Sequence, residues 1–248
     1  MRYEKVAWSG GARLVAGVDE VGRGSLFGCV AAAACILNPA DRIRGLRDSK
    51  LLTPEVREKL AARIRKRAIG WSVAEVEADR IDEINIYQAS LLAMKLAVER
   101  LEPRPDYLLV DAVAIDIDCP QKKIIHGDAL SPSIAAASIL AKVHRDSILR
   151  SLDPLYPQYG LARNKGYATP LHRLALQEHG PSPLHRRSFA PVAGAAGLGQ
   201  WGLRLSGEDV SEEDLCDEEL YGEQMAAEEM ESAAEMALAA EGVEEKEC

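Results

Sequence analysis

The chain alternates short apolar runs with amphipathic segments, and the runs have the length of buried strands. Five runs predict strands, at residues 14–18, 30–37, 71–76, 107–110 and 123–125. A Ser or Thr followed by proline opens three predicted helices, at Thr53-Pro54, Ser131-Pro132 and Thr169-Pro170, and apolar spacing predicts another over 86–101. Strands that cluster first and then alternate with helices indicate an α/β layer structure.

Four acidic residues lie at the ends of predicted strands or just beyond them. Asp19 and Glu20 end the first strand, Asp111 follows the fourth, and Asp128 follows the fifth. Any one of them could be a turn former or a helix cap. Together, carboxylates that converge at one sheet edge would form a hard-oxygen site suited to Mg²⁺ or Mn²⁺. Two such ions would clamp the attacking and leaving oxygens of a phosphodiester.

A glycine-flanked arginine, Gly22-Arg23-Gly24, follows the first two acids. Glycine lets another backbone approach closely, and arginine suits a phosphate. A Rossmann-type nucleotide-binding turn is an alternative explanation of these glycines. It fits poorly, because residues 30–37 predict a strand where the G-x-G-x-x-G turn needs a helix.

The net charge of −9 averages two unlike parts of the chain. Residues 206–248 carry 17 Asp and Glu against one basic residue, whereas residues 1–205 carry 29 Lys and Arg against 22 Asp and Glu. The basic part is a candidate binder of polyanions, although a surplus of this size is also ordinary surface charge.

The cysteines and the apolar runs indicate a cytoplasmic protein without a membrane segment. The five cysteines are scattered, with no Cys-x-x-Cys pair, which argues against a zinc site or a disulfide framework and favours a reducing compartment. No run approaches the roughly 20 apolar residues of a membrane span, and residues 1–11 lack the core of a signal peptide.

An ordered set of motifs resembles bacterial ribonuclease HII, the type 2 ribonuclease H family. The set reads AGVDEVGRG at 16–24, RDSK at 47–50, LLVD at 108–111, IIHGDALSPSIAAASILAKVHRD at 124–146, YPQYG at 156–160, NKGYATPLH at 164–172 and RRSF at 186–189. The resemblance implies a ribonuclease H-like α/β fold, a five-stranded mixed sheet flanked by helices, with a helical C-terminal part.

The resemblance also implies an activity. Asp19, Glu20, Asp111 and Asp128 would be the catalytic acids and would hold two divalent ions, Mn²⁺ or Mg²⁺. The enzyme would be an endoribonuclease that cleaves the RNA strand of RNA–DNA hybrids and incises 5′ of ribonucleotides embedded in duplex DNA. This two-metal-ion hydrolysis would leave a 3′-hydroxyl and a 5′-phosphate.

Seven further residues would contact substrate if the resemblance holds. Gly22, Arg23 and Gly24 would meet the 2′-hydroxyl, which distinguishes RNA from DNA. Phosphates would be bound by Ser49, Lys50 and Lys165, and a neighbouring sugar would be stacked by Tyr167. The simpler alternatives are solvated lysines and a tyrosine that packs against its following helix.

The chain departs from the usual pattern of this family at several positions. Ser25 and Cys29 stand where proline is usual, Phe27 and Ala112 where alanine and glycine are usual, and His126 and His144 where lysine and threonine are usual. These departures, with the acidic tail, motivate a second hypothesis: a hybrid-binding regulatory homologue with weak catalysis.

The small-residue-rich stretch 193–202 predicts the end of the compact body. We therefore expect a monomer with a catalytic domain over 1–202 and an acidic tail over 203–248 that is disordered or weakly helical. The tail would solubilise the protein, fold back onto the basic body as an autoinhibitor, or recruit a basic partner.

Overall fold

A computed structural model describes residues 1–46, 49 and 52–197. The described residues form two compact units, the first drawn from residues 1–23 and 28–148, and the second from residues 24–27 and 149–197. Lys50, the predicted boundary at residue 202 and the predicted acidic tail lie outside the described residues. Within the described part of the chain, no helix is long and apolar enough to cross a membrane.

The first unit is built on a mixed sheet of five strands in the order β3-β2-β1-β4-β5. The strands are β1 Val15–Val21, β2 Val30–Ile36, β3 Gly70–Val76, β4 Tyr107–Asp111 and β5 Gln121–Ile124. Strands β1, β2 and β3 pair antiparallel, whereas β1, β4 and β5 pair parallel. All five predicted strands and the predicted mixed sheet are confirmed.

Six helices begin in the first unit: α1 Arg2–Ser9, α2 Pro54–Arg67, α3 Ala78–Ile84, α4 Ile86–Glu99, α5 Gly127–Leu130 and α6 Pro132–Leu152. The prediction found α2, α4 and α6 but missed the other three. It missed α1 because the residues that this helix buries are Glu4 and Ala7, which give no apolar periodicity.

Glu4 attaches α1 to the start of α6. Its fully buried carboxylate accepts hydrogen bonds from the Ser131 hydroxyl at 2.7 Å and from the Ser133 amide at 3.1 Å. The first amides of a helix have no partner within the helix, and the helix dipole favours a negative charge there. Glu4 therefore caps α6 from a distant part of the chain.

Small residues let α6 lie close against the sheet. Residues 31–34 of β2 are four alanines, all fully buried, and Ala33 shares one core cluster with Ala136, Ala137 and Ala141 of α6. The approach is closest at Gly17 of β1, where a Cβ would overlap the backbone of Ser133 and Ile134. The backbone of α6 therefore rests directly on β1.

The second unit packs helices around an aromatic cluster. Its helices are α7 Leu161–Asn164, α8 Pro170–His179 and α9 Ala190–Ala195. Phe27 is fully buried there, with its ring edge-on to His185 at 4.8 Å between centroids. Burial lowers the pKa of His185 to about 3, with a smaller contribution from His172. His185 is therefore neutral at pH 7, as suits a structural role.

We expect Gly17→Ala to destabilise the protein by more than about 3 kcal/mol, because the added methyl group has no room beneath α6. Urea unfolding followed by circular dichroism measures the change. Gly194→Ala in α9 is the matched control, since no atom lies within 4 Å of its added Cβ. Because alanine is the better helix former, this control should be neutral or stabilising by up to about 1 kcal/mol. Equal effects at the two positions would contradict the packing.

Candidate active site

Sheet pairing brings the predicted acids to one edge. Val18 of β1 pairs with Val110 of β4, so Asp19 and Asp111, each one residue further along, are neighbours on parallel strands. Asp111 in turn pairs with Ile124 at the end of β5, and Asp128 follows four residues later. The parallel arrangement therefore gathers acids that are more than 100 residues apart in the chain.

The pKa of Asp19 shows that the four acids lie close together. It is only 5% exposed. Burial raises the pKa of Asp19 well above its ordinary value, and the charges of Asp111, Glu20 and Asp128 raise it further. Like charges have this effect only when they share a site.

Two serine hydroxyls support Asp19 from the side of α6. The Ser138 side chain lies close enough to the Asp19 carboxylate to hydrogen-bond with it, which partly offsets the raised pKa of Asp19. The Ser138 hydroxyl also lies 2.9 Å from the Ser49 hydroxyl, and both serines are buried. The two hydroxyls therefore form a small buried polar cluster beside Asp19.

Gly127 holds Asp111 and begins the helix that carries Asp128. Its amide donates to Asp111 Oδ1 at 2.6 Å. A Cβ at Gly127 would lie 2.9 Å from that oxygen and would press on the Ile134 side chain. The hydrogen bond and the close approach together link β4 to α5.

Strained backbone lies beside the acids. Among the described residues, four non-glycine residues have positive φ angles: Asn85 at 66°, Ala112 at 50°, His126 at 54° and Lys165 at 52°. Ala112 directly follows Asp111, and His126 lies two residues before Asp128. Such strain persists only where the surrounding structure imposes it, and it is concentrated at functional sites.

The Gly22-Arg23 segment rests on a buried arginine. A Cβ at Gly22, whose φ is +91°, would overlap the guanidinium group of Arg145. Arg145 is fully buried and donates from Nε to the Cys29 carbonyl at 2.9 Å. Arg23 itself lies 3.6 Å from Glu20, measured from Nη1 to Oε1. The arginine predicted to meet substrate is therefore tied to one of the four acids.

The other predicted substrate contacts are placed as follows. Gly24, Lys165 and Tyr167 belong to the second unit. Lys165 is half-buried and its Nζ donates to the Ala162 carbonyl. Tyr167 is 6% exposed, and its carbonyl lies 2.8 Å from His172 Nδ1. The structure thus buries most of the tyrosine that was predicted to stack on a sugar.

The departures from the family pattern have local partners. Ser25 donates from its hydroxyl to the Phe27 carbonyl at 3.0 Å, which turns the chain without a proline. Phe27 fills the aromatic core of the second unit, and the Cys29 carbonyl receives Arg145. None of these three changes replaces a carboxylate at the site.

Sequence reasoning missed Ser138, Gly127 and Arg145. A usable signal was present for two of them. Ser138, Lys142 and Arg145 follow one another at helical spacings of four and three in a segment otherwise rich in alanine, and all three are buried. A polar stripe on the buried face of a helix indicates that the helix supports a polar site.

The chemistry of the donor set fits divalent metal ions. Four carboxylates offer hard oxygen ligands, and their mutual repulsion at Asp19 is what a bound cation would relieve. Among the described residues, however, no group of three or more His, Cys, Asp or Glu side chains is already arranged to hold a metal ion. The acids share one sheet edge without their oxygens converging on a common point.

Comparison with known proteins identifies the family. The family model described as Ribonuclease HII matches residues 16–192. The chain belongs to the ribonuclease HII family. A ribonuclease HII from Koribacter versatilis (strain Ellin345) is 63% identical over 191 residues, which are 77% of this chain and 75% of that protein. The resemblance predicted from the sequence motifs is therefore confirmed.

Solved structures of the ribonuclease HII family share the fold. Ribonuclease H2 from Pyrococcus horikoshii OT3 matches with a TM-score of 0.66 at 26% identity, and the match covers 75% of this chain and 98% of the Pyrococcus chain. Ribonuclease HII from Archaeoglobus fulgidus, solved in complex with PCNA, matches with a TM-score of 0.63 at 26% identity. This match covers 73% of this chain and 96% of the Archaeoglobus chain. The predicted ribonuclease H-like fold is confirmed.

Membership of the ribonuclease HII family settles the class of enzyme. The chain is a type II ribonuclease H, an endonuclease of a family that depends on divalent metal ions. The Rossmann alternative is excluded by β2, which stands where that motif needs a helix. The hypothesis of a regulatory homologue with weak catalysis gains no support from these relatives.

We expect Asp19→Asn to stabilise the metal-free protein at pH 8. The raised pKa means that folded Asp19 binds protons more readily than unfolded Asp19, so its contribution to stability falls as pH rises above about 4. Asparagine cannot ionise and escapes this penalty. Thermal unfolding in EDTA should therefore show a higher Tm for the variant at pH 8, with the difference shrinking toward pH 4.

Asp116→Asn is the matched control for this measurement. Asp116 is a fully exposed carboxylate that forms a salt bridge with Lys95 at 3.2 Å, and its replacement should give no comparable gain at pH 8. Added Mg²⁺ should raise the Tm of the wild type more than that of Asp19→Asn, because a ligand stabilises the state that binds it. A Tm for Asp19→Asn that lies below the wild type in EDTA at pH 8 would contradict the proposed repulsion.

We expect Ala112→Gly to leave stability unchanged or to raise it by up to about 1 kcal/mol. A non-glycine residue in the left-handed region costs about 1–2 kcal/mol, which exceeds the entropy that glycine adds to the unfolded chain. Ala62→Gly on the exposed side of α2 is the control and should cost about 1 kcal/mol. Urea unfolding of both variants tests the contrast, and equal losses would argue against a strained Ala112.

Proposed function

We propose that this chain cleaves the RNA strand of RNA–DNA hybrids and incises 5′ of single ribonucleotides embedded in duplex DNA, leaving a 3′-hydroxyl and a 5′-phosphate. The observation that carries the proposal is the raised pKa of Asp19, which reports four carboxylates at one sheet edge in a member of the ribonuclease HII family. Such a cluster is unfavourable for stability, so its presence calls for a functional reason.

Asp19, Glu20, Asp111 and Asp128 would hold two divalent ions, Mg²⁺ or Mn²⁺. When bound, the ions would activate the attacking water and stabilise the charge that develops on the leaving oxygen. The protein's own contribution is to orient the carboxylates. Ser138 fixes Asp19, and the Gly127 amide fixes Asp111, so two of the four ligands are held by hydrogen bonds before any ion binds.

Substrate recognition would begin at Gly22-Arg23-Gly24. A glycine has no side chain to keep a 2′-hydroxyl away from its backbone amide, and the salt bridge from Glu20 holds Arg23 beside the acids. The Arg145 side chain packs directly against Gly22 and fixes the position of the loop on that side. Recognition of the hydroxyl and placement of the acids would therefore depend on the same short segment.

The remaining contacts are proposed by analogy with the family motif. Lys50 and Lys165 would bind phosphates, and Tyr167 would stack on the neighbouring sugar. Ser49 would bind a phosphate only by sharing the hydroxyl that now forms a hydrogen bond with Ser138. A phosphate at Ser49 would thus be coupled to the orientation of Asp19.

We also propose that the protein is a monomer and that it is cytoplasmic, and the free thiols of Cys29, Cys35 and Cys119 support a reducing compartment. The acidic segment 206–248 would compete with nucleic acid for the basic part of the chain or recruit a basic partner.

An incision assay tests the proposed activity. The full chain, with Mg²⁺ or Mn²⁺, should nick a duplex that contains one ribonucleotide and leave the all-DNA duplex of the same sequence intact. Asp19→Asn should lower the rate by at least about 100-fold, because it removes a metal ligand. Asp116→Asn should cut at the wild-type rate.

Two results would refute the activity. The first is an absence of incision by the wild type with either metal, and the second is incision that Asp19→Asn leaves unchanged. Tight hybrid binding with turnover near background would favour the regulatory homologue instead.

A further inference from the structure

A basic groove lies between α1 and the loop at residues 42–46. Its volume is about 650 Å³, and it is lined by Arg2 and Lys5 of α1, by Arg42 of the loop, and by Pro132 at the start of α6. Residues 1–15 lie outside the part of the chain that the ribonuclease HII family model matches. Three of the eight residues that line the groove, Met1, Arg2 and Lys5, therefore lie outside the matched part of the chain.

Both walls of the groove are anchored. Helix α1 is attached to α6 through the Glu4 carboxylate. The loop is attached to α2, because Arg67 donates to the Asp41 carboxylate at 2.8 Å and to the Arg42 carbonyl at 3.3 Å. Ile43 and Leu46 pack against the core cluster beneath the loop. The basic side chains are thus presented on fixed backbone.

The positive charge of the groove is not neutralised by its surroundings. Arg2, Lys5 and Arg42 are all exposed, and none of them has a salt bridge to another described residue. Asp41, the acid next to Arg42 in the chain, is occupied by Arg67. Glu4 points away from solvent, into the start of α6. Three positive charges therefore remain available for an anionic partner.

The groove and the candidate active site both lie beside α6. Pro132 lines the groove, and Ser138, six residues later on the same helix, supports Asp19. At about 1.5 Å per residue, these positions are about 9 Å apart along the helix axis. Successive phosphates of one strand advance about 3.4 Å along a duplex axis, so this offset corresponds to about two or three nucleotides.

We propose that this groove binds the sugar–phosphate backbone of the nucleic-acid substrate, about two or three nucleotides from the bond that is cut. The inference rests on the proposed function, because it adds a contact for the same substrate. Contacts to phosphates position a substrate without reading its sequence. The groove should therefore contribute to affinity and to its dependence on salt, and leave the choice of the scissile bond unchanged.

The test measures hybrid binding against salt. Full-length protein carrying Asp19→Asn binds a fluorescein-labelled RNA–DNA hybrid without cutting it, and anisotropy gives Kd between about 50 and about 200 mM KCl. Adding Lys5→Gln and Arg42→Gln should make the slope of log Kd against log salt shallower by about 1.8 if each residue meets one phosphate. The change in affinity across that salt range should then shrink by roughly tenfold.

Two matched variants control for charge and folding. Lys5→Arg with Arg42→Lys keeps the charge and should retain the parental slope. Arg100→Gln with Arg104→Gln removes the same charge before β4, at the opposite end of that strand from Asp111. This second pair should lower affinity much less than the groove pair. Steady-state incision by the groove variant with an intact Asp19 should show a raised KM and a nearly unchanged kcat.

Each outcome decides between the hypotheses. If the Asp19→Asn parent does not bind the hybrid at all, the proposed function fails and the groove inference falls with it. If the parent binds and the groove variant has the same slope, the groove inference alone is wrong. Tighter binding by the groove variant at low salt would also overturn it, and would assign the groove to the acidic residues 206–248.

Discussion

The contact between α6 and Gly17 is the constraint on which the acidic centre depends. Gly17 and Asp19 point to the same face of β1, because alternate residues of a strand do so. Two residues of strand advance about 6.6 Å, and the four residues from Ile134 to Ser138 advance about 6 Å along a helix and lie on one face of it. A helix whose backbone touches Gly17 at Ile134 therefore brings Ser138 to Asp19. A side chain at residue 17 would move both the helix and the hydrogen bond.

Several residues of the site are held in states that are unfavourable for the stability of the folded protein. Burial and three neighbouring carboxylates oppose the ionisation of Asp19, and Ala112 and His126 hold backbone conformations that favour glycine. Hydrogen bonds from Ser138 and Gly127 offset part of this cost. Stability and metal affinity are thus opposed at the same atoms: what weakens the metal-free fold is what makes a divalent cation bind strongly.

The sequence predicted the sheet well and the supports of the site poorly. The five strands were found because each is an apolar run, and the four acids were found because each ends or follows such a run. Helix α1 was missed because its buried residue is Glu4, and Ser138 and Arg145 were missed because buried polar residues break the apolar pattern of a helix. The hydrogen bond that occupies Ser49 depends on a residue 89 positions away, which local pattern cannot reveal.

The hydrogen bonds to Glu4 connect the beginning of the chain to the candidate active site through the position of α6. Helix α6 begins four residues after Asp128, and its first turn is held by a carboxylate from residue 4. An affinity tag, a fusion or a trimmed amino terminus that disturbs α1 would loosen the start of α6 and the acid beside it. Differences in activity between preparations of this protein would then arise from the choice of amino terminus, with every active-site residue intact.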